Sequence, residues 1–301
     1  MKNGSLRISL LRLAARFLGR APLSWLHAAA VPMAWLLGRV PWNKHGVIRR
    51  NLAACFPEQP AQGRNRLAQA HRVELLRLAS ELGALAQWPE DRLAQHLPTV
   101  EGWEHVLAAK AAGRGVLLVT GHLGNWEILN LELSRRIDMV TLYRAPDDPS
   151  LDRFISAART RFGGRVVASG SAAMRRMLRQ LRTGGAVGIA ADIQPKRGDG
   201  VFVPFFDIPA LTMTLVHRLA LRTGCAVIFC HALRLPRGRG WSLHFQPAPP
   251  EILDPDPACA LQTMNDWLSN SIRTEPAQYL WIYKRFSRRP SSSEPRFYPR
   301  T

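Results

Sequence analysis

One short stretch concentrates the chemistry open to this chain: Gly121-His122-Leu123-Gly124-Asn125-Trp126-Glu127. An imidazole can take a proton from a hydroxyl near neutral pH. A carboxylate that accepts from one ring nitrogen fixes the tautomer and leaves the other nitrogen as the base. The His122/Glu127 spacing therefore suits a pair that deprotonates a hydroxyl for attack on an activated acyl carbonyl. Taken alone the spacing is weak, because a single His beside a core strand is more often structural. Its setting strengthens it. Gly115-Val116-Leu117-Leu118-Val119-Thr120 is a continuous apolar run of the kind that forms a buried strand, and a helical pattern starts at residue 125. Ligand and catalytic groups of α/β sheets gather at such strand C-termini. Gly121 and Gly124 permit a tight turn, and the first turn of the next helix favours an ionised Glu127. Asn125 has two roles open to it, donor to a developing oxyanion or helix cap, and the cap fits slightly better. Trp126 reads as packing.

Other residues could bind anions. Arg144, Arg159 and Arg161 carry forked guanidiniums suited to phosphate, although an arginine on a helix is usually a solvated one. Asp192 follows the apolar strand 186–191, so its carboxylate belongs at a sheet C-terminus. It could position an acceptor or pair with one of those arginines. Val201-Phe202-Val203-Pro204-Phe205-Phe206 reads equally as an acyl-facing wall or as core.

The elements that must position these groups alternate. Strand patterns at 115–120, 138–142, 165–168, 186–191, 225–233 and 241–246 are interleaved with helical patterns at 103–112, 125–135, 150–162, 171–183, 211–223 and 258–275. Two further helices are predicted at 46–56 and 62–88. Alternation of this kind predicts an α/β fold: a mixed, largely parallel central sheet flanked by helices. Cys55, Cys225, Cys230 and Cys259 lack metal or CxxC spacing and read as reduced thiols. No metal and no diffusible cofactor is expected.

The N-terminus is of another kind. Leu6, Leu10, Leu11, Leu13, Phe17 and Leu18 form a broad apolar face, while Arg7, Arg12, Arg16 and Arg20 recur beside it with Ser5 and Ser9 nearby. That is a cationic amphipathic helix suited to a membrane interface. Residues 21–38 form an 18-residue stretch without Lys, Arg, Asp or Glu, borderline for a span and weakened by Pro22, His27 and Pro32. The expectation is an N-terminal membrane-anchoring helix over residues 1–42, spanning or interfacial. A catalytic domain over 43–290 and a loose, basic tail over 291–301 follow.

Charge sets the class of partner. The chain of 301 residues carries 41 Lys+Arg against 22 Asp+Glu, a net +19. Arg159, Arg161, Arg165, Arg175, Arg176, Arg179 and Arg182 form one acid-free cluster, and Lys284, Arg285, Arg288, Arg289, Arg296 and Arg300 form another, broken only by Glu294. Headgroups, lipid phosphates and an acidic protein could all use them. Nucleic acid fits the charge, but no helix-turn-helix, zinc or RNA-recognition signature accompanies it, so no nucleic-acid partner is expected. A hydrophobic content of 47% excludes disorder, and the lack of repeated long apolar runs excludes a polytopic transporter.

The motif block also resembles a known family. Gly121–Glu127 looks like the signature of the late acyltransferases of lipid A biosynthesis, within the wider His-x4-(Asp/Glu) glycerolipid acyltransferase superfamily. Ordered blocks agree across residues 40–290: Ile48-Arg49-Arg50-Asn51-Leu52 with Phe56-Pro57-Glu58, then Tyr143-Arg144, Arg159–Gly163, Asp192 and Val201–Phe206. Pro276–Trp281 and Lys284-Arg285-Phe286 complete the series, with Ala277 and Tyr283 standing where the family usually has Glu and His. The resemblance implies acyl transfer from a thioester donor, acyl carrier protein or acyl-CoA, to a hydroxyl of a phosphorylated lipid acceptor. It makes His122 the general base, Glu127 its partner, and Arg159 and Arg161 binding residues. It implies the cytoplasmic face of a bacterial inner membrane, where the anionic membrane surface is a partner. Other lipid acceptors, or a non-catalytic basic membrane protein, are the competing readings.

Overall fold

The computed structural model describes residues 2–299, and side-chain surroundings from residue 8 onward apart from Ser171. The side chains of Ser5, Leu6 and Arg7, and all of Arg300, lie outside the described residues. The chain opens with α1 (Lys2–Arg20), α2 (Leu23–Leu37), α3 (Lys44–Cys55), α4 (Ala61–Leu85) and the short α5 (Glu90–Gln95). The α/β part follows: β1 (Thr99–Glu101), α6 (Trp103–Ala111), β2 (Val116–Thr120), α7 (Trp126–Arg136), β3 (Met139–Tyr143), α8 (Pro149–Thr160), β4 (Arg165–Ala168), α9 (Ser171–Arg182) and β5 (Ala186–Ala190). A hairpin, β6 (Gly200–Phe205) and β7 (Ile208–Met213), leads to α10 (Leu215–Thr223), β8 (Ala226–Arg234), β9 (Trp241–Pro247) and α11 (Pro257–Thr274).

Seven strands make one sheet in the order β1-β9-β8-β2-β5-β3-β4. Every neighbouring pair is parallel except β8–β9. The sheet is therefore mixed and largely parallel, as the alternating pattern predicts. Its central strands are continuous apolar runs because helices cover both faces. Val116, Leu118, Ile228, Cys230 and Ala232 face a core layer that includes Ile128 and Leu129 of α7 and Ala84 and Leu85 of α4. Leu117, Val119, Val187, Ile189, Val227 and Phe229 face the opposite layer, with Ala173 and Met177 of α9, Leu219 of α10 and Leu261 of α11.

The 200–213 region departs from expectation. Helix is predicted from residue 211, yet 208–213 pairs with 200–205 as a hairpin. Phe206 and Asp207, at φ 52° and 61°, form its two-residue turn. Such turns usually carry Asn-Gly. Here burial stabilises the left-handed Phe206: its ring meets Phe56 and Trp281 edge-on at 5.4 and 5.9 Å. The hairpin thus belongs to a third core layer with Leu52, Leu268 and Tyr279.

The tail, expected to be loose, is exposed over most of 291–299 but anchored at Tyr298. Tyr298 is buried, and its hydroxyl donates to Asn51 Oδ1 at 2.6 Å. Its oxygen also accepts from the Phe286 N–H. At the other end, α1 and α2 lie on α4 and bury Ile8, Ala15, Leu23, Ala30 and Ala34. Their outer sides expose Leu10, Leu11, Leu13, Phe17, Trp25, Met33, Trp35 and Leu36. Among the described residues, no helix is long and apolar enough to cross a membrane. The stretch 21–38 becomes a 15-residue helix with Pro32 inside it.

Candidate active site

The turn after β2 sits where two parallel strands end side by side. Thr120 of β2 is in register with Ala190 of β5, so His122 and Asp192 emerge together beyond the sheet edge. Gly124 makes the turn possible. It has φ +66°, and a Cβ there would lie 1.9 Å from the Ala232 carbonyl oxygen of β8. Only glycine meets both demands. The next residue, Asn125, donates its backbone N–H to that same carbonyl at 2.9 Å.

His122 is bound to Asp192, not to Glu127. Its Nδ1 donates to Asp192 Oδ1 at 2.8 Å, and its backbone N–H donates to Oδ2 at 2.9 Å. Nε2 has no hydrogen-bond partner among the described residues. Trp126 packs edge-on against the imidazole with centroids 4.5 Å apart. So Trp126, read from sequence as packing, packs against the His122 ring itself. Burial works against a charged imidazole, but the charge and hydrogen bond of Asp192, assisted by Glu127, raise the His122 pKa above its ordinary value. Asp192 is itself buried. The same pairing holds its carboxyl below the usual range despite that burial.

Glu127 does not occupy the orienting position expected of it. Its carboxylate oxygens accept from Arg159, with Nε at 3.1 and 2.9 Å and Nη2 closing the fork. It also takes the Trp126 indole N–H at 3.1 Å. The reason is topological: α8 packs on α7 and brings Arg159 onto the first turn of α7. Trp126 joins this pair to His122, since its ring packs on the imidazole and its indole N–H donates to Glu127.

The remaining candidates divide. Asn125 caps α7: its Oδ1 accepts from the backbone N–H groups of Glu127 and Ile128 at 3.1 and 3.2 Å. With Nδ2 given to Glu81 at 2.8 Å, it is not directed at a reacting atom. Arg161 donates to the carbonyls of Leu85, at 2.7 Å, and Trp88. Those carbonyls belong to the C-terminal end of α4 and the turn beyond it, where a cation is favoured, so Arg161 is a structural clamp and not a free anion ligand. Arg144 is exposed at the end of β3, without a side-chain partner among the described residues.

A buried network missed by the sequence reading backs the turn. Glu81 of α4 accepts from His27 of α2 at 2.6 Å, from Asn125 at 2.8 Å and from Arg234 of β8 at 2.6 Å. Arg234 also reaches Glu74 at 2.6 Å. Burial would raise the Glu81 pKa, but Arg234, helped by His27, holds it down to about 2.

With this geometry in view, the likeness to known proteins is specific. Residues 6–288 match the family described as bacterial lipid A biosynthesis acyltransferase. The chain belongs to that family. Lipid A biosynthesis lauroyltransferase of Escherichia coli K12 is 26% identical over 298 residues, covering 92% of this chain and 96% of that protein. The palmitoleoyltransferase of the same organism is 26% identical over 294 residues, at 89% and 93% coverage. A phosphatidylinositol mannoside acyltransferase of Mycobacterium tuberculosis H37Rv is 29% identical over 280 residues, at 86% and 87%.

Membership in the lipid A acyltransferase family makes the chain an acyltransferase. The C-terminal block that resembles the family then has a visible task. The Gly124 N–H donates to the Gln278 carbonyl at 3.1 Å, and Leu280 N–H donates to the His122 carbonyl at 3.0 Å. Segment 278–280 thus braces the turn like an added strand. Tyr283, standing where the family usually has His, accepts the Gln194 N–H at 3.0 Å. Arg285, counted with the free cations, is buried and donates to the Leu211 carbonyl and Thr212 at 2.6 and 2.8 Å.

Proposed function

We propose that the chain transfers a fatty acyl group from a thioester to a hydroxyl of a lipid A precursor, with His122 as general base and Asp192 as its orienting partner. The observation that carries this is the paired contact of Asp192 with the imidazole Nδ1–H and the backbone N–H of His122. Both together hold Nε2 as the free, basic nitrogen at the C-terminal edge of the sheet.

In this reading Nε2 removes the hydroxyl proton as the oxygen attacks the thioester carbonyl. The carbonyl becomes a tetrahedral oxyanion. It collapses by breaking the carbon–sulfur bond, and the imidazolium returns its proton to the leaving thiolate. Asp192 remains ionised and stabilises the imidazolium between the two proton transfers. A positioned base of this kind contributes about 10²–10⁴-fold in rate. Glu127 and Arg159 act as a charge pair beside the ring, and the unpartnered Arg144 is suited to an acceptor phosphate.

The N-terminal helices are the membrane contact in this reading. Their exposed Leu, Phe, Trp and Met side chains beside Arg12, Arg16 and Arg20 suit helices lying about 5–10 Å deep in the interface. That seats the domain on the anionic cytoplasmic face of the inner membrane, where the acceptor resides.

The test compares the lipid A of cells with and without the gene by mass spectrometry, and then of cells carrying His122→Ala. One secondary acyl chain is expected to be absent in the deletion and in the variant. Unchanged lipid A in both refutes the acceptor. The likeness to phosphatidylinositol mannoside acyltransferases makes a mannosylated phospholipid the next acceptor to assay.

A further inference from the structure

The acid-free arginine cluster of 159–182 separates in three dimensions. Arg159 is bound to Glu127, Arg161 to two carbonyls, and Arg165 to Asp138 and Gln180 at 2.6 and 2.8 Å. What remains is Arg175, Arg176, Arg179 and Arg182. All are exposed along one side of α9, opposite the buried Ala173, Met177 and Leu181. α10 packs beside α9 in the same layer and adds Arg218 and Arg222, also exposed. None of these guanidiniums has a hydrogen-bond or ion-pair partner among the described residues. Of the nearby acids, Asp138 pairs with Arg165, Asp254 and Asp256 accept from backbone N–H groups at the start of α11, and Glu251, on the turn packed against α10, is exposed.

The stripe leads to the active-site edge. α9 starts just beyond the end of β4, and α10 starts where Thr214 bonds to the Asp199 carbonyl. Exposed Lys196 and Arg197 lie between Asp192 and that contact, with Asp199 the one acid of their loop. The positive track therefore runs from the loop after Asp192 down the α9–α10 layer.

We propose that this face docks an acidic protein that delivers the acyl donor. The inference rests on the acyl-transfer reading above and adds the seat of the donor's carrier on the α9–α10 face. Two observations favour a protein over the bilayer. α9 and α10 cover the sheet face opposite the one under α4, α1 and α2, so a bilayer on the exposed apolar side chains of α1 and α2 meets the other side of the domain. α9 also exposes no large apolar side chain, and α10 only Leu221, so the face lacks the apolar wedge of an interfacial helix. Unpaired charge of one sign steers a soluble partner of the other sign.

The experiment uses the full chain with Arg175→Glu/Arg176→Glu/Arg179→Glu, and independently Arg218→Glu/Arg222→Glu on the second helix. Transfer to one vesicle-borne acceptor is measured from two donors with the same acyl chain, acyl carrier protein thioester and CoA thioester. The KM for the carrier-borne donor is expected to rise about tenfold or more, with kcat retained, while the CoA thioester is used as by wild type. Added salt should raise the wild-type KM for the carrier and affect the variants less. Equal KM values for wild type and variants with the carrier overturn the proposal. So does a parallel loss with both donors, or loss of co-sedimentation with phosphatidylglycerol-containing vesicles, which would make the face a bilayer contact. A wild-type chain that uses only the CoA thioester also overturns it while leaving acyl transfer standing. One that uses neither overturns both.

Discussion

Asp192 accepts two hydrogen bonds from the single residue His122, one from its ring at 2.8 Å and one from its backbone at 2.9 Å. A carboxylate held from both directions fixes the tautomer as well as the tilt of the imidazole. It also raises the His122 pKa. If His122 is the base proposed above, transfer needs the neutral imidazole, so activity should rise with pH through an apparent pKa above 6.5. Asp192→Asn removes the charge and lets the amide favour the wrong tautomer. kcat is expected to fall about 10²–10⁴-fold, and the acid limb of the residual rate to move to lower pH. An acid limb that stays in place would show that Asp192 does not control the base.

Glu127 and Arg159 should behave as a unit. Removing either leaves a charge of the other sign beside the His122 ring. Glu127→Ala and Arg159→Ala are each expected to lower kcat by about 10²-fold, and the double variant to cost little more than either alone. Additive losses would separate their roles and restore an independent function to Glu127. The pH profile supplies a second readout. Because Glu127 raises the His122 pKa and Arg159 lowers it, the two single variants should shift the acid limb in opposite directions, Glu127→Ala toward lower pH.

Glu81 tests the network behind the turn. Glu81→Ala leaves the His27, Asn125 and Arg234 donors without their acceptor in a buried site. Breaking such a pair costs about 3–5 kcal/mol, read as a lower midpoint in urea unfolding. Its pKa of about 2 against an ordinary 4.5 also sets a pH window. A carboxyl depressed on folding stabilises fully above the unfolded value. That stability fades as pH falls through the folded one. The advantage of wild type over Glu81→Gln should therefore be full above pH 4.5 and shrink toward pH 2. A constant difference across that range would mean that Glu81 is not ionised in the folded protein.

The strand–turn–helix around His122 was legible because it is local. A continuous apolar run, two glycines and a cap residue specify it within a few positions. The partner of His122 was not legible. It depends on β2 and β5 being neighbours in register, and Asp192 is 70 positions away in the chain. Glu127, the nearer carboxylate, was the natural choice from spacing alone. The arginines failed for a related reason. Arg161 and Arg285 look like free cations in a basic chain, and only packing reveals the backbone carbonyls that consume their donors. The 200–213 hairpin escaped because its turn residues, Phe206-Asp207, take a left-handed conformation on the strength of distant aromatic packing.

The exposed apolar row of α1 and α2 gives a last test, one that leaves the fold intact. Trp25, Trp35 and Leu36 are 72%, 59% and 60% exposed, so replacing them with Ser removes little packing. Such surface changes usually alter stability by no more than about 0.5 kcal/mol. In a membrane interface the same side chains would be dehydrated, each giving about 1 kcal/mol or more by the area it buries. The triple variant should therefore lose about 10²-fold in partitioning onto phosphatidylethanolamine–phosphatidylglycerol vesicles while its melting temperature stays near that of wild type. Activity on acceptor dispersed in detergent should be kept, because the His122–Asp192 pair is untouched, while activity on vesicle-borne acceptor should fall with binding. Equal partitioning of variant and wild type would remove these helices from the membrane contact and leave the exposed tryptophans to be covered by protein.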